Sequence, residues 1–413
     1  MTSSLDLWIH GSHSVKGYPA GRAQPITFQF DCRRRASGAS KFGLHKIAGM
    51  IPRLPLGAGF GDSTLKNLNC VLLVALSLSA ACAPDEPVDY ETEVDEIFAA
   101  YQGEGTPGAV VRVIKDGESV LTRSYGMANV EEKIPVTAET NFRLASLTKQ
   151  FTAMCILMLV DRGELELTDT LTDVFPDFPE YGRGITITHL LQHTSGLRDY
   201  EPFVPEDSPV QVVDAGVLDL MRQQDGVDFE PGSEHRYSNS GYAVLAMIVE
   251  QVSGMPFPRF LEENIFEPLG MVNTVAHQEG ISTVSTRAYG YHVTADGVEY
   301  SDQSPWSAVL GDGGIYTSVV DLSLWDAALY GNELVSEELM RQAFTPFLED
   351  YGFGWRIDEY NGHKRMHHSG STVGFRNFIQ RFPEERLTVI ALTNRRDPEV
   401  DPLAEKVADL FLE

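Results

Sequence analysis

The chain has 413 residues, with 32 lysine and arginine residues against 59 aspartate and glutamate residues, and a net charge of −27. Its length allows one large domain or two, with enough apolar residues for a core. A nucleic acid backbone would repel so acidic a chain, so no nucleic acid partner is predicted. The charge is also divided: residues 1–82 carry +6 and residues 83–413 carry −33.

The boundary between these two parts has the pattern of an export signal. Lys66 precedes the apolar run 70–81, which ends in small residues. A basic flank, a short apolar run and small residues before a cleavage point describe a signal peptide, and the run is too short to span a bilayer comfortably. Residues 1–69 make an unusual extension before such a signal. We therefore predict that translation starts later, for example at Met50, and that residues 1–82 form a leader.

The end of the apolar run, Ser79-Ala-Ala-Cys82, also resembles a bacterial lipoprotein lipobox, in which the cysteine carries the lipid. Leu78 stands one place earlier than the usual leucine. We predict a lipid anchor at Cys82 that holds the domain 83–413 on the periplasmic side of a bacterial membrane. An ordinary signal peptide cleaved near Ala81, or an uncleaved apolar anchor, is the alternative.

The first elements of this domain are predicted to be a helix and a hairpin. Residues 89–101 have helical apolar spacing. The apolar and β-branched runs 108–114 and 119–125 flank Lys115-Asp-Gly117, a sequence that favours a tight hairpin turn.

The next segment places Ser146 and Lys149 three residues apart, before the apolar run 154–160. The pattern predicts a helix closed by Gly163. Residues i and i+3 share a helix face, so the Lys149 ammonium can reach the Ser146 hydroxyl, and a helix N-terminus stabilises developing negative charge. This is a nucleophile beside a base. A second copy of the motif, Ser63-Thr-Leu-Lys66, shows that the spacing also arises by chance.

Residues from about 165 to 340 predict a mostly helical insertion, clearest at 212–223 and 243–252. Four strands and a closing helix are then predicted, at 353–358, 363–367, 375–382, 387–393 and 403–412. Strands at both chain ends with helices between them predict an α/β (α+β) domain whose antiparallel sheet is flanked by helices. A site is expected in the cleft between the sheet and the insertion.

Two later motifs carry candidate chemistry. Tyr237 can act as a general base if neighbouring positive charge lowers the pKa of its hydroxyl. Asn239, two residues on, can both donate and accept hydrogen bonds. The alternative is a turn before a helix, because Tyr330-Gly-Asn332 repeats the pattern.

The second motif is His368-Ser-Gly-Ser371, between two predicted strands. Gly370 would allow close approach to a ligand and leave backbone N–H groups free for an oxyanion. His368 can supply positive charge or a proton. An edge-strand histidine facing water is the alternative.

Metal and other hydrolase chemistries are not indicated. His189 and His193 have the spacing of a zinc pair, but no glutamate or third ligand follows at a recognisable spacing, so no metal or cofactor is predicted. Residues 193–197 are better explained as a turn whose side chains bond the backbone. A Gly-x-Ser-x-Gly elbow is absent from the sequence, which argues against an α/β-hydrolase.

Taken together, Ser146-x-x-Lys149, Tyr237-x-Asn239 and His368-x-Gly370 resemble, in order and approximate spacing, the penicillin-recognising serine hydrolases. These include class C β-lactamases, D-alanyl-D-alanine carboxypeptidases, family VIII esterases and D-aminopeptidases. The resemblance covers roughly residues 90–410. Supporting stretches are His193-Thr-Ser-Gly-Leu197, Gly313-Gly-Ile-Tyr-Thr-Ser318 and Tyr351-Gly-Phe-Gly-Trp355.

The resemblance implies a role for each motif. Ser146 would form an acyl-enzyme, and Lys149 and Tyr237 would share the proton transfers as a coupled pair. Asn239 would orient the acyl-side amide of the substrate. The N–H groups of Ser146 and Ser371 would form the oxyanion hole.

One departure bears on the substrate. The third motif of β-lactamases is usually Lys-Thr-Gly, whereas here His368, Ser369 and Gly370 take its place. A weaker, pH-dependent positive charge should bind a β-lactam carboxylate less firmly. We therefore predict a serine hydrolase acting on a D-amino-acid peptide or small ester. A class C-type β-lactamase and a non-catalytic peptidoglycan- or peptide-binding protein are the alternatives.

Overall fold

The computed structural model describes residues 3–7, 26–30, 89–103 and 105–412. The chain divides into two compact units, 1–86 and 87–413. In the first unit, strand β1 (Ser3–Leu7) pairs antiparallel with strand β2 (Ile26–Phe30). The predicted signal peptide and Cys82 lie outside the described residues.

The second unit contains strands of very different lengths. In chain order they are β3 (Ala109–Lys115), β4 (Glu118–Tyr125), β5 (Met127–Asn129), β6 (Ile134–Pro135), β7 (Phe142–Arg143), β8 (Val275–Ala276), β9 (Tyr291–Thr294), β10 (Gly297–Tyr300), β11 (Ile315–Thr317), β12 (Arg356–Tyr360), β13 (His363–Thr372), β14 (Phe375–Phe382) and β15 (Leu387–Thr393).

The α-helices of this unit surround and interrupt these strands. They are α1 (Tyr90–Ile97), α2 (Lys149–Asp161), α3 (Leu171–Val174), α4 (Ile187–Leu191), α5 (Asp214–Arg222), α6 (Asn239–Ser253), α7 (Phe257–Leu261), α8 (Glu267–Leu269), α9 (Val319–Ala328), α10 (Glu337–Ala343) and α11 (Asp401–Asp409). Short 3₁₀ turns lie at Ala99–Tyr101, Ala145–Thr148, Glu180–Gly184, Glu201–Phe203 and Leu348–Asp350, and a π turn at Glu262–Phe266.

Six strands from both ends of the chain form the main sheet, in the order β12-β13-β14-β15-β3-β4. Every neighbouring pair is antiparallel. All seven residues of β15 are buried, because this strand lies inside the sheet and both of its faces are covered. The predicted fold class, an antiparallel sheet of both chain ends flanked by helices, is confirmed.

The two faces of the sheet belong to separate apolar clusters. In β3, Val110 and Ile114 face the larger cluster, which contains residues of α2 and α6. Val111 and Val113 face a smaller cluster, which contains residues of α1 and α11. This alternation follows from the two-residue period of a strand, and each fully buried valine stabilises the fold by about 1.5–3 kcal/mol.

The longest strand differs from its prediction. Residues 363–367 were predicted to be a strand, but β13 continues to Thr372 and pairs with β14 as far as Phe375. The prediction stopped too early because a Ser-Gly-Ser run has low β propensity, whereas pairing with a buried neighbour supplies the missing stabilisation.

The insertion from about 165 to 340 contains most of the helices and also strands that the sequence pattern did not indicate. β11 pairs with β7 and β8 in a small three-stranded sheet. This sheet lies next to the segment that carries Ser146, because Leu144 N donates to Ile315 O at 2.8 Å.

Two further observations concern the described residues as a set. None of their helices combines the length and apolar character needed to cross a membrane. Likewise, the described part of the chain contains no group of three or more His, Cys, Asp or Glu side chains that could hold a metal ion.

Candidate active site

Ser146 lies in the single 3₁₀ turn Ala145–Thr148, which runs directly into α2. Ala145, just before the serine, has a φ of 51°, a conformation that favours glycine. Such strain persists only where the surroundings hold the backbone in place. The Asn377 side chain from β14 does so by donating Nδ2–H to Arg143 O at 2.8 Å.

The helix that follows ends as predicted. Gly163 has a φ of 69°, and Glu164 N donates to Leu159 O at 3.0 Å. This is the left-handed glycine cap that satisfies the last carbonyl groups of a helix.

Lys149 is fully buried at the first turn of α2 and reaches the serine. Its Nζ donates to Ser146 Oγ at 3.2 Å, Asn239 Oδ1 at 2.8 Å and Asp312 O at 2.9 Å. Three acceptors match the three N–H donors of an ammonium group. The structure therefore brings together Ser146, Lys149 and Asn239. The spacing of the first two predicted their contact, whereas Asn239 was placed in the site only by the family resemblance.

Tyr237 completes this cluster from the loop before α6. Lys149 Nζ lies 4.9 Å from the centre of its ring, a distance that allows a cation–π interaction. Its hydroxyl oxygen is buried and has no hydrogen-bond partner among the described residues. Leaving a buried polar group unpaired costs about 1–3 kcal/mol, so this hydroxyl requires an explanation.

Asn239 is the first residue of α6, and its side chain links two charged groups. While its Oδ1 accepts from Lys149, its Nδ2 donates to Glu201 Oε1 at 3.0 Å. Its backbone N donates to Asp199 Oδ1 at 3.2 Å. The amide is therefore held in one orientation, with its oxygen towards the cation and its nitrogen towards the carboxylate.

The segment 193–201 holds the loop that carries Tyr237. His193 O accepts from Arg236 N at 2.9 Å, and His193 Nδ1 accepts from Ser238 N at 3.1 Å. The His193 ring also packs against the Tyr237 ring, with 4.2 Å between the ring centres. Burial lowers the pKa of His193 well below its usual value, so the ring is neutral and can accept. The predicted turn with side-chain-to-backbone bonds is present here.

β13 contacts the segment that carries Ser146 through Gly370. A Cβ atom added to Gly370 would lie 2.1 Å from Leu144 O, so only glycine allows the strand to come this close. Ser371, the next residue, lines the same cleft as Ser146. The two predicted oxyanion donors thus belong to one cleft, and their role remains a prediction.

His368 differs from its prediction. Its ring is buried, Tyr351 OH lies 2.9 Å from its Nε2, and its Nδ1 lies 2.6 Å from Ser369 O. Burial lowers the pKa of His368 to about 3, because removing the ring from water disfavours its charged form. The prediction that His368 supplies positive charge is therefore wrong near neutral pH. Ser369, its neighbour, is exposed.

The cleft holds about 400 Å³ of empty space. Its lining residues are Arg143, Ala145, Ser146, Tyr200, Glu201, Asn239, Ser304, Trp306, Asp312, Gly313, Ser371 and Thr372. Nine of these were not predicted as site residues, among them the large or charged side chains of Arg143, Tyr200, Glu201, Trp306 and Asp312.

Two of the unpredicted residues make one wall acidic. Asp312 accepts from Tyr200 OH at 2.9 Å, and burial raises the pKa of its carboxyl to about 6. Burial and the nearby Asp199 also raise the pKa of Glu201. Asp312 and Glu201 belong to none of the three motifs, so sequence patterns offered little signal for either.

The sequence of this chain is similar to those of several known proteins. The family model described as Beta-lactamase matches residues 94–412. Penicillin-binding protein 4* of Bacillus subtilis is 33% identical over 345 residues, which cover 78% of this chain and 75% of that protein. A D-aminopeptidase of Brucella anthropi is 29% identical over 74% of this chain, which spans only 60% of that relative's length.

Solved structures show the same architecture. The octameric penicillin-binding protein homologue from Pyrococcus abyssi matches with a TM-score of 0.69 and 28% identity, over 78% of this chain and 76% of that one. The D-amino acid amidase from Ochrobactrum anthropi, solved with L-phenylalanine amide, matches with a TM-score of 0.67 and 26% identity, over 78% of this chain and 98% of that one.

Proposed function

This chain belongs to the Beta-lactamase family, and we propose that it is a serine hydrolase that forms an acyl-enzyme on Ser146. The observation that carries the proposal is the contact between Lys149 Nζ and Ser146 Oγ at 3.2 Å, beside a buried Tyr237 hydroxyl that has no partner in the described part of the chain. A nucleophile, a proton acceptor and a residue that orients them are the parts that covalent catalysis requires.

The reaction follows from these contacts. Ser146 Oγ attacks the substrate carbonyl carbon, and its proton passes to the Lys149–Tyr237 pair, one member of which is deprotonated when the substrate binds. The N–H groups of Ser146 and Ser371 stabilise the oxyanion of the tetrahedral intermediate. The C–N or C–O bond then breaks, and the leaving group takes the proton. Water, deprotonated by the same pair, attacks the acyl-enzyme and releases the acid.

We propose that the substrate is a D-amino-acid amide or short peptide with a free amino group. Glu201 lines the cleft and has one carboxylate oxygen engaged by Asn239, so its second oxygen can accept from an ammonium group. Charge-assisted hydrogen bonds of this kind are roughly twice as strong as neutral ones. Relatives named D-aminopeptidase and D-amino acid amidase support this choice.

A β-lactam is the less favoured substrate. Because the pKa of His368 is lowered to about 3, the third motif lacks the formal positive charge that would bind a β-lactam carboxylate. Turnover of a chromogenic cephalosporin is therefore expected to be much slower than turnover of a D-alanine amide.

The first test is covalent labelling. A fluorophosphonate and a fluorescent penicillin are applied to the folded protein, with Ser146→Ala as the control. Labelling of the wild type alone supports the nucleophile assignment. If neither probe labels folded wild-type protein, the hydrolase proposal fails, and the non-catalytic binding alternative takes its place.

The second test concerns the amino group. The kcat/KM for D-alanine p-nitroanilide is compared with that for its N-acetyl derivative. We expect wild type to prefer the free amine and Glu201→Gln to lose that preference through a raised KM. An equal rate for both substrates in the wild type would remove Glu201 from the binding site.

We also propose that the protein is exported and anchored by lipid at Cys82. The support is the signal-like run 70–81 and the lipobox-like residues that end it. Mass spectrometry of the native protein would detect a lipidated N-terminal cysteine. Soluble protein that begins before residue 70 would contradict the proposal.

A further inference from the structure

Arg143 is a buried cation with few partners. Its side chain belongs to β7, and the residue is 4% exposed. Nη2 donates to Ser307 O at 2.7 Å, but the buried Nε has no partner in the described part of the chain. Within residues 105–412, none of the ion pairs involves its guanidinium. Arg143 is near enough to Asp312 to act on the pKa of its carboxyl, but no carboxylate of the described residues contacts the guanidinium. A buried charge without a direct ion pair is costly, so this residue requires an explanation.

A neighbouring arginine shows what a structural role looks like here. Arg143 and Arg287 both lie near the Tyr316 ring, with Cζ 6.0 Å and 5.1 Å from its centre. Arg287 pairs with Asp302 at 2.6 Å. Of the two, Arg143 is the arginine left without a carboxylate in the described residues.

Arg143 also lies between two open spaces. It lines the cleft of Ser146, and it lines a second cavity with about 770 Å³ of empty space. Other residues that line the second cavity are Gln211, His277, Gln278, Gln303, Ala308 and Tyr316. A ligand in the cleft can therefore lie against the Arg143 side chain.

Arg143 differs from the other charged groups around the cleft in having donors left unoccupied by the described residues. Glu201 and Asp312 are the acidic residues that line the cleft, and Lys149 has its three donors occupied by protein acceptors. His368 has both ring nitrogens engaged by other protein groups. Arg143 is thus the cationic group with donors left for a ligand among the described residues of the cleft.

We propose that Arg143 binds a carboxylate of the substrate at the junction of the cleft and the second cavity. The proposal rests on the proposed hydrolase function and names a further recognition group for the same site. A planar guanidinium holds a carboxylate through two parallel N–H···O bonds. With Glu201 binding the ammonium group and Arg143 the carboxylate, the cleft would take a zwitterionic substrate. The carboxylate belongs either to the acyl part of the substrate or to its leaving group.

Two pairs of isosteres test the proposal and distinguish these sources. D-alanyl-D-alanine and its C-terminal amide differ by a carboxylate on the leaving part. The α-p-nitroanilides of D-glutamate and D-glutamine differ by a carboxylate on the acyl part. In one of these two pairs, we expect the kcat/KM of wild type to be about tenfold higher for the member with the carboxylate than for its amide, mainly through a lower KM. Arg143→Gln should bring that ratio close to one, and Arg143→Lys should keep part of it.

Arg341→Gln is the matched control, because Arg341 is an exposed arginine of α10 paired with Glu338. It removes the same charge and should keep the wild-type ratio. The proposal is overturned if wild type turns over both members of each pair without preference, or if the preference persists in Arg143→Gln.

A binding measurement covers the case in which the hydrolase proposal itself fails or Arg143→Gln does not fold. In Ser146→Ala, acetate should raise the unfolding midpoint, whereas acetamide at equal ionic strength should not. No difference between acetate and acetamide overturns the carboxylate site whatever the fate of the hydrolase proposal.

Discussion

At the scale of the residue, the chemistry depends on how the donors and acceptors around Ser146 are distributed. Lys149 has an acceptor for each of its three N–H groups. The Tyr237 hydroxyl has no hydrogen-bond partner among the described residues. We therefore expect Tyr237, whose ring centre lies 4.9 Å from Lys149 Nζ, to share the proton transfers with the lysine.

Tyr237→Phe should lower kcat by about 100-fold or more, because loss of a general base costs about 10²–10⁴ in rate. The free energy of unfolding should not fall, since the deleted hydroxyl is buried and makes no hydrogen bond in the described structure. Steady-state kinetics and urea unfolding measure both effects.

Tyr242→Phe is the matched control for this prediction. Its hydroxyl donates to Leu191 O at 2.8 Å, so its loss should cost about 1 kcal/mol of stability and little activity. Unchanged kcat in Tyr237→Phe would place the base elsewhere.

His368 is expected to make the protein less stable at acidic pH. Its pKa is about 3 in the folded protein and 6.5 without the fold. The unfolded chain therefore binds more protons between these values, so stability is fully present above pH 6.5 and is lost as pH falls towards 3. The contribution is on the order of a few kcal/mol.

His368→Gln should therefore reduce the difference in unfolding free energy between pH 7 and pH 4. Urea unfolding at the two pH values measures it, with His292→Gln as a control at a half-buried histidine of β9. An undiminished difference in His368→Gln would show that other groups account for the acid sensitivity.

At the scale of the element, α6 is positioned from its N-terminus by the segment 193–201. Asp199 Oδ1 accepts from the backbone N of Asn239 and of Ser240, both at 3.2 Å. Ser238 Oγ adds the ordinary cap by accepting from Gly241 N at 3.1 Å. A helix end fixed by two side chains keeps Asn239 in line with Lys149.

Asp199→Ala should cost about 0.5–2 kcal/mol, the usual effect of removing a helix N-terminal cap. It should also lower kcat/KM by on the order of tenfold to 100-fold, because small displacements of an orienting group are costly. Chemical denaturation and kinetics on D-alanine p-nitroanilide measure the two effects.

The matched control is Thr170→Ala, which removes the cap of α3, a helix that does not line the cleft. It should lose similar stability and keep its activity. If Asp199→Ala keeps full activity, the cap does not orient the site.

At the scale of the whole molecule, the main sheet and the helical region are joined by a buried ion pair. Arg381 of β14 donates Nε–H to Asp326 Oδ1 of α9 at 2.5 Å, and Thr388 Oγ1 donates to the same oxygen at 2.8 Å. Both charged side chains are nearly fully buried. Removing one partner leaves the other charge uncompensated in the core.

Arg381→Met should destabilise the protein by about 3–5 kcal/mol, and the double variant with Asp326→Leu should recover much of that loss. Urea unfolding of wild type, Arg381→Met, Asp326→Leu and the double variant gives the coupling. Exposed Arg259→Met, whose pair with Glu263 lies on the surface, should cost less than about 1 kcal/mol. A small effect at Arg381 would mean that water reaches the pair.

Much of this protein can be predicted from local patterns. The strands 375–382 and 387–393 have the bounds that their apolar runs predict, because strand burial follows a two-residue period. The Gly163 cap and the approach of Lys149 to Ser146 follow from helix geometry. The order of the three motifs predicted the family, which the family model confirms; the catalytic roles stay predictions.

Only the tertiary structure decided the remaining features of the site. Arg143, Glu201 and Asp312 reach one cleft from positions far apart in the sequence, and no periodicity links such positions. The charge of His368 was predicted wrongly because the pKa of a histidine depends on its desolvation, which follows from packing around it. Sequence thus determined which groups can react, through side-chain chemistry and local spacing. The folded structure determined which of them are charged and which have donors left for a ligand.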